Sequence, residues 1–475
     1  MQRRVLGDIE SWNAKNKRKP LVLMGARQVG KTWLMEEFAK RAYPGDTVTV
    51  NFMEDDPIRE SFERANLDPV ILIGLLQARS GKRIIPGKTL LVLDEIQESP
   101  RALTSLKFFN EKMPELAVMA AGSLLGLSLR RERGKRSPER RGSFPVGKVE
   151  FLDVRPMTFA EFLEARGESM KLEELESGRW EVVDLIHDEL VGLLKDYYLV
   201  GGMPEAVQTF VDTGDYHETR RVQKRILRAY DKDFVKHAEP TLLGRIRLLW
   251  KNIPAQLAKE NAKFVYKVLK EGARGRDYEE ALQWLDDAGM ITQLFRANPP
   301  RLPLRSYEDF SAFKLFMHDV GLLGAMSDLP PAAVLEGNAV FTNFKGALTE
   351  QYVLQELLAA GASPAYWSSE RGDAEVDFLL QGADAVYPVE AKAERNLKAK
   401  SLRTYREFFS PPRCYRTSLE RHHAGKLTED VPLYAVGRIV AETGSGAGAD
   451  GTEDGGCGII QDHGERVRGP RKDAD

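Results

Sequence analysis

One short segment has the residue types and spacing of a phosphate-binding loop. Residues 25–32 read GARQVGKT, which satisfies the G-x-x-x-x-G-K-[S/T] pattern. Its two glycines let the backbone turn so that successive N–H groups point at phosphate oxygens. Lys31 would reach the β- and γ-phosphates of ATP, and the Thr32 hydroxyl would bind Mg²⁺. The residues predicted to bind the nucleotide here are Gly25, Ala26, Arg27, Gln28, Val29, Gly30, Lys31 and Thr32.

A second stretch supplies the carboxylates that such a loop needs for hydrolysis. Residues 89–97 read TLLVLDEIQ, a continuous apolar run that predicts a buried strand of a parallel sheet. Asp94 and Glu95 end this strand, at the edge where open α/β sheets bind ligands. Asp94 is predicted to hold Mg²⁺ and Glu95 to activate the attacking water.

The strand predicted over residues 116–123 ends at Ser123. Its hydroxyl is a candidate contact for the γ-phosphate or the water, but a serine ending a strand is also ordinary turn chemistry. The basic run that follows, residues 130–141, reads RRERGKRSPERR. One of its arginines could act on the phosphate of a neighbouring copy or contact DNA, whereas most such runs are solvated faces.

Together, GARQVGKT, LLVLDEIQ, AAGSLLG and SFPVGKVEFLDVRPMTFAEFL resemble the AAA-type ATPase module of a prokaryotic family. Its members also carry a C-terminal domain classed as being of unknown function. The resemblance continues in YLVGGMPEAV, WKNIPAQLAKENAKF and FKLFMHDVGLLGAM, and covers the chain to about residue 440. The double glycine of YLVGGMPEAV is interpreted only as a connection between two helices.

A second chemical constellation lies in residues 344–395. Glu350 is on a predicted helix, Asp377 on a predicted strand, and Glu390 and Lys392 share a face of the next strand because they are two residues apart. An acid followed by acid-x-lysine resembles the core of the PD-(D/E)XK nucleases. The resemblance implies that Glu350, Asp377 and Glu390 hold a divalent metal and that Lys392 positions or activates water. A hairpin with salt-bridged strands would look similar, and the Pro-Asp pair of that family is absent, since Asp377 follows Val376.

Residues 242–295 predict three short helices, the second over residues 264–269, and a strand, ITQLF. This order is typical of a winged helix-turn-helix. Its cations would contact DNA phosphates if the domain binds duplex DNA, or the domain only docks its neighbours. They are Lys263, Lys267, Lys270, Arg274 and Arg276.

Charge, cysteine content and the length of apolar runs limit the class of protein and its partners. The chain has 475 residues and a formal net charge of -2, so only local patches favour nucleic acid. Cys414 and Cys457 form no metal spacing and exclude a disulfide framework. No apolar run approaches the roughly 20 residues of a membrane span, and the first 20 residues lack a signal-peptide core. We therefore expect a cytoplasmic protein without a membrane partner.

The predicted fold class is α/β, with a parallel P-loop sheet and an α/β nuclease-like C-terminal domain. The predicted domains are an ATPase domain at 1–165, a helical lid at 166–240, a winged helix at 241–305, a nuclease-like domain at 306–440 and a disordered tail at 441–475. The leading hypothesis is an ATP- and Mg²⁺-dependent hydrolase whose nucleotide state controls the C-terminal domain, with DNA and further copies of the chain as candidate partners. The alternatives are an ATP-binding switch that cuts nothing and a remodeller that uses the nuclease-like fold only for binding.

Overall fold

The computed structural model describes residues 2–64, 67–123, 125, 147–259, 263–336, 339–393 and 400–446. The predicted basic run at 130–141 lies outside these ranges, as do residues 447–475 of the predicted tail. Within them, no helix is both long and apolar enough to span a bilayer.

The N-terminal part is built on a five-stranded parallel sheet with strand order β2-β3-β4-β1-β5. Its strands are β1 Leu21–Met24, β2 Thr47–Asn51, β3 Leu90–Asp94, β4 Ala117–Ala121 and β5 Glu150–Asp153. The strands predicted over residues 89–97 and 116–123 are β3 and β4. Strands β3 and β4 are fully buried, as their continuous apolar runs indicate. Because the strands are parallel, the carboxyl ends of β1, β3 and β4 lie at one edge of the sheet.

Helices cover the sheet and then form a separate helical region. The first group is α1 Val5–Asn13, α2 Lys31–Ala42, α3 Asp56–Arg64, α4 Pro69–Ser80 and α5 Pro100–Lys112, with a 3₁₀ turn at Ile96–Glu98. The second group is α6 Phe159–Ala165, α7 Ser169–Ser177, α8 Trp180–Leu185, α9 His187–Val200, α10 Pro204–Thr213 and α11 Tyr216–His237.

The region predicted as a winged helix has two of its three helices. These are α12 Pro240–Leu257 and α13 Glu279–Asp287, and between them lie 3₁₀ turns at Tyr266–Val268 and Gly275–Asp277. The helix predicted over 264–269 is replaced by extended chain and one short turn. The Phe264 N–H donates to Phe313 O at 2.8 Å, and the Phe264 ring stacks on that of Phe313. Pairing with a neighbouring strand therefore overrides the local helical pattern.

The C-terminal part is built on an eight-stranded mixed sheet with strand order β12-β13-β11-β10-β9-β8-β6-β7. Its strands are β6 Ile291–Ala297, β7 Glu308–Met317, β8 Ala365–Ser368, β9 Glu375–Gln381, β10 Val386–Ala391, β11 Cys414–Ser418, β12 His423–Ala424 and β13 Thr428–Pro432. The helices are α14 Val320–Met326, α15 Pro331–Glu336, α16 Ala339–Ala359, α17 Lys400–Phe409 and α18 Arg438–Thr443, with 3₁₀ turns at Leu304–Tyr307 and Leu433–Ala435.

Two predicted domain limits fall inside structural units. The limit between residues 305 and 306 separates β6 from β7, although these strands pair antiparallel in one sheet. The predicted tail begins at residue 441, yet α18 continues to Thr443, and Ile439, Val440 and Thr443 are buried. Both limits were drawn where composition changes, whereas strand pairing and packing extend across them.

The double glycine between α9 and α10 is more than a helix connection. The Gly202 N–H donates to Asp319 Oδ2 at 2.6 Å, and Gly202 O accepts from the Met157 N–H at 2.7 Å. A Cβ on Gly202 would lie 2.1 Å from Met157 O, and one on Gly201 would lie 2.4 Å from Asp319 Oδ1. Only glycine fits, because the chain passes directly between these two segments.

We predict that Gly202→Ala lowers the thermal melting temperature by several degrees, because the methyl group must displace backbone and such overpacking costs about 1–3 kcal/mol. The matched control is Gly192→Ala within α9, where a Cβ would have nothing within 4 Å. That change should leave the melting temperature the same or raise it slightly, since alanine is the better helix former. Equal melting temperatures for both variants would contradict the close packing of Gly202.

Candidate functional site

The loop between β1 and α2 has the backbone of a phosphate cradle. Gly25 has φ +134°, and a Cβ on it would lie 2.2 Å from Val154 O, so glycine is required there. Gln28 and Gly30 also have positive φ, at 67° and 96°, and Gly30 directly precedes the 12-residue helix α2. Turns of this kind aim N–H groups into one concavity, and the helix N-terminus adds favourable partial charge for an anion.

Lys31 is folded over this loop. Its Nζ donates to Gly25 O at 2.9 Å and to Ala26 O at 2.8 Å, and the residue is 8% exposed. Burial lowers the Lys31 pKa to about 8, although the nearby charges of Glu95 and Asp94 oppose that shift. A phosphate would provide a stronger acceptor for this ammonium than the two carbonyl groups do.

Thr32 and Asp94, which are 62 residues apart in the sequence, are in contact. The Thr32 hydroxyl donates to Asp94 Oδ2 at 2.8 Å, and Asp94 Oδ1 accepts from the Glu95 N–H at 2.9 Å. Burial raises the Asp94 pKa, although these hydrogen bonds act in the opposite direction. A hydroxyl and a carboxylate fit Mg²⁺, which usually takes one or two protein oxygens together with phosphate and water oxygens.

Glu95 follows Asp94 in a left-handed conformation, with φ 51°, which is uncommon for a residue other than glycine. Its carboxylate accepts a hydrogen bond from the Gln97 side-chain amide. Ser123 follows β4 at the same edge of the sheet and is 8% exposed. Gln97 was given no role from the sequence, although it belongs to the LLVLDEIQ segment, because only the fold shows which side chain reaches Glu95.

The loop is held from outside by the helical region and by the end of β7. The Tyr230 hydroxyl lies 2.8 Å from Arg27 O and 3.2 Å from His318 Nε2, while the Arg27 guanidinium pairs with Asp233. His318 Nδ1 lies 3.0 Å from Met290 O, and burial lowers the His318 pKa to about 4. The ring is therefore neutral and its Nδ1 carries the hydrogen, because a carbonyl only accepts.

It follows that the single Tyr230 proton has two acceptors, Arg27 O and His318 Nε2. Beside this contact, a Cβ on Gly289 would lie 3.1 Å from the Ala26 nitrogen, so the turn before β6 packs directly on the loop. A cavity of about 610 Å³ separates the loop from the second sheet. Its wall includes Ala26, Arg155 and His318.

The second predicted constellation is also assembled, around a lysine that the sequence analysis did not select. Lys314 of β7 lies with its Nζ 3.0 Å from Glu350 Oε2, 2.6 Å from Glu375 Oε1 and 3.7 Å from Asp377 Oδ1. Asp377 Oδ2 accepts from the Ala391 N–H at 2.9 Å. Two features of the sequence could have identified these residues: a lysine inside the apolar run FKLFM and a glutamate two residues before Asp377.

Glu390 and Lys392 complete this cluster as an ion pair. Burial raises the pKa of Glu350 to about 7 and that of Glu390 to about 8. Burial alone would lower the Lys314 pKa, but the surrounding carboxylates outweigh it and raise that pKa. Glu390 Oε2 is buried and has no hydrogen-bond partner among the described residues.

The metal implied for this cluster by the nuclease resemblance does not fit the geometry. Among the described residues, no group of three His, Cys, Asp or Glu side chains is arranged to hold an ion. The Lys314 ammonium instead lies among the carboxylates, with two of the predicted ligands, Glu350 and Asp377, in its surroundings. Of the four predicted residues, Glu350 and Asp377 thus lie beside the Lys314 ammonium, and Glu390 pairs with Lys392.

Three family models match separate parts of the chain, each less than half of it. Residues 17–163 match an AAA domain, residues 191–333 match a domain of unknown function (DUF8612) and residues 345–433 match a domain of unknown function (DUF4143). The first and third matches confirm the ATPase domain and the C-terminal domain of unknown function that the resemblance predicted. The second extends across both predicted limits of the winged helix. No curated protein matches the sequence.

Solved structures with similar folds include the Walker-type ATPase PABY2304 of Pyrococcus abyssi, at 13% identity and a TM-score of 0.41, covering 68% of this chain and 94% of that one. The tetratricopeptide-sensor STAND protein PH0952 of Pyrococcus horikoshii has 15% identity and a TM-score of 0.26, over 76% and 45%. The ORC1 protein of Aeropyrum pernix in complex with DNA has 15% identity and a TM-score of 0.26, over 70% and 92%. Similarity this low carries no functional argument.

We predict that nucleotide affinity falls as pH rises through about 8, the Lys31 pKa of the free protein. The ammonium binds phosphate and the neutral amine does not, so affinity should fall by up to about tenfold per pH unit above that value. Titration of a fluorescent ADP analogue between pH 7.5 and 10, with folding checked at each pH, measures this. Lys31→Ala should bind weakly without this pH dependence. Constant wild-type affinity to pH 10 would contradict the lowered pKa.

Proposed function

We propose that the chain binds and hydrolyses ATP at the GARQVGKT loop and that the bound nucleotide controls the C-terminal domain. The contact between Thr32 and Asp94 carries the first half of this proposal, because it brings the two oxygen donors of a nucleotide-bound Mg²⁺ together beside the loop. When bound, that ion would neutralise charge on the β- and γ-phosphates. The AAA domain match supports ATP binding.

In the proposed reaction, each residue of the loop and the sheet edge has a distinct task. Loop N–H groups and the Lys31 ammonium hold the phosphates and stabilise the charge that develops on the transferred group. Glu95 orients the attacking water and accepts its proton. Gln97 holds the Glu95 carboxylate. Ser123, which follows β4 at the same edge of the sheet, is a candidate contact to the γ-phosphate or the water.

The second half of the proposal depends on the contacts around Tyr230. Its hydroxyl shares one proton between the loop carbonyl of Arg27 and the His318 ring that directly follows β7. A nucleotide that shifts the loop would change which acceptor receives this proton. Strand β7 belongs to the C-terminal sheet, so the change would be transmitted to the domain that we propose is nuclease-like.

DNA is the candidate partner that surface charge supports. The five cations predicted to meet phosphates lie within 14 residues of sequence and are all exposed: Lys263, Lys267, Lys270, Arg274 and Arg276. Exposed cations on one short segment suit a phosphate backbone.

A second candidate function is a nucleotide switch whose nuclease-like domain binds without cutting. It is favoured by the ammonium of Lys314 at the acidic cluster.

Glu95→Gln should retain ATP binding and lose at least about 100-fold of the hydrolysis rate, because the amide cannot accept the proton of the attacking water. Phosphate release measured with Mg²⁺, with and without duplex DNA, tests this. The control is Glu54→Gln, an exposed acid after β2, which should hydrolyse ATP normally. Wild-type turnover by Glu95→Gln would refute the assignment. A wild-type rate that duplex DNA leaves unchanged would argue against DNA as the controlling partner.

Tyr230→Phe removes only the hydroxyl between the loop and His318. Because one hydrogen bond is lost, ATP affinity should change by about tenfold or less. We expect nucleotide-dependent hydrogen exchange at the amides of residues 314–323 in the wild type, and this dependence should disappear in the variant. Tyr216→Phe is the matched control, since its hydroxyl lies on the same helix but donates to Asp196. If Tyr230→Phe keeps the wild-type exchange response, the coupling does not pass through this hydroxyl.

A further inference from the structure

The acidic cluster of the C-terminal domain already contains a cation of its own. The Lys314 side chain is 1% exposed, and its Nζ is within hydrogen-bonding distance of Glu350 on α16 and Glu375 on β9. Asp377 lies slightly farther away, and the Tyr366 ring centre is 5.3 Å from the ammonium. One ammonium therefore interacts with carboxylates from two different elements, and an aromatic ring covers it.

This arrangement conflicts with a metal at the same carboxylates. A divalent cation binds through the carboxylate oxygens that here face Lys314, and two cations cannot share them without strong repulsion. A buried lysine is costly unless it is paired, so the carboxylates are also what keep this ammonium inside the protein. The lysine therefore has its counter-charge in these carboxylates without a metal.

We propose that the Lys314 ammonium takes the place of the divalent cation in this cluster, so that the C-terminal domain holds no metal at Glu350 and Asp377 and does not cut nucleic acid through them. The inference concerns this cluster alone and stands whether or not the chain hydrolyses ATP.

Lys314 links strand β7 to other elements of the C-terminal domain. Strand β7 is the last strand of the eight-stranded sheet and pairs within it only with β6. The lysine ties this strand to α16 and β9, and His318, four residues later, contacts Tyr230 beside the phosphate-binding loop. The ion cluster thus holds the C-terminal half of the strand whose end contacts Tyr230 beside the phosphate-binding loop.

The test measures Mn²⁺ binding by electron paramagnetic resonance on the full chain without nucleotide. All proteins carry Thr32→Ala and Asp94→Asn, which remove both proposed metal ligands of the nucleotide site, so this readout is independent of ATP binding. With Lys314 present, we expect no Mn²⁺ bound at concentrations up to about 1 mM. Adding Lys314→Met should create one Mn²⁺ site with a dissociation constant at least about tenfold below 1 mM. Adding Asp377→Asn should then remove this site.

The control is Lys392→Met, which removes the other lysine of the cluster, leaves Lys314 in place and should gain no site. Lys314→Met should also melt at a lower temperature, with Mn²⁺ restoring part of the loss. If the Lys314→Met chain fails to fold, the chain with both Lys314→Met and Glu375→Gln, which loses one charge of each sign, is measured instead. Mn²⁺ bound by the chain that keeps Lys314, and lost in Asp377→Asn, would overturn the proposal. The proposal would also be overturned if the folded Lys314→Met chain, or the folded chain with Lys314→Met and Glu375→Gln, bound no Mn²⁺.

Discussion

A hydroxyl group has one proton to donate, and the coupling that we propose between the two halves of this protein depends on that limit. Tyr230 lies between a carbonyl of the phosphate-binding loop and an imidazole nitrogen at the end of a C-terminal strand. Both groups are acceptors, since His318 is neutral and gives its hydrogen to Met290 O. The hydroxyl can donate fully to only one of them, so in the coupling that we propose a small movement of the loop changes the partner.

The two buried lysines show how surroundings decide what a residue type does. Lys31 is buried against two carbonyl groups, and burial lowers its pKa to about 8. It lacks a full counter-charge, and a phosphate would supply one. Lys314 is buried against carboxylates that raise its pKa, so its counter-charge is already in place. Lys31 can therefore bind an anionic ligand, whereas the charge of Lys314 is already compensated by carboxylates.

Glycines have an equally specific use where segments from distant parts of the chain meet. At Gly25 the loop passes so close to the carbonyl of Val154 that no side chain fits. At Gly202 the chain passes between Met157 and Asp319, which joins the nucleotide domain, the helical region and the start of α14. These close approaches hold the loop and its neighbours in fixed register. They also give the double glycine, which the sequence left as a simple connection, a structural role.

The sequence alone determined the parts of this protein that depend on local pattern. Continuous apolar runs predicted the buried strands β3 and β4, and motif spacing placed Lys31, Thr32 and Asp94 at one edge, because parallel strands end together. Only the tertiary structure decided what depends on distant partners. Pairing of Phe264 with β7 replaced a predicted helix by extended chain, β6 and β7 joined two predicted domains in one sheet, and Lys314 entered the cluster around Glu350 and Asp377. No sequence period encodes which lysine reaches which carboxylate, because that depends on how the strands of one sheet and a helix pack together.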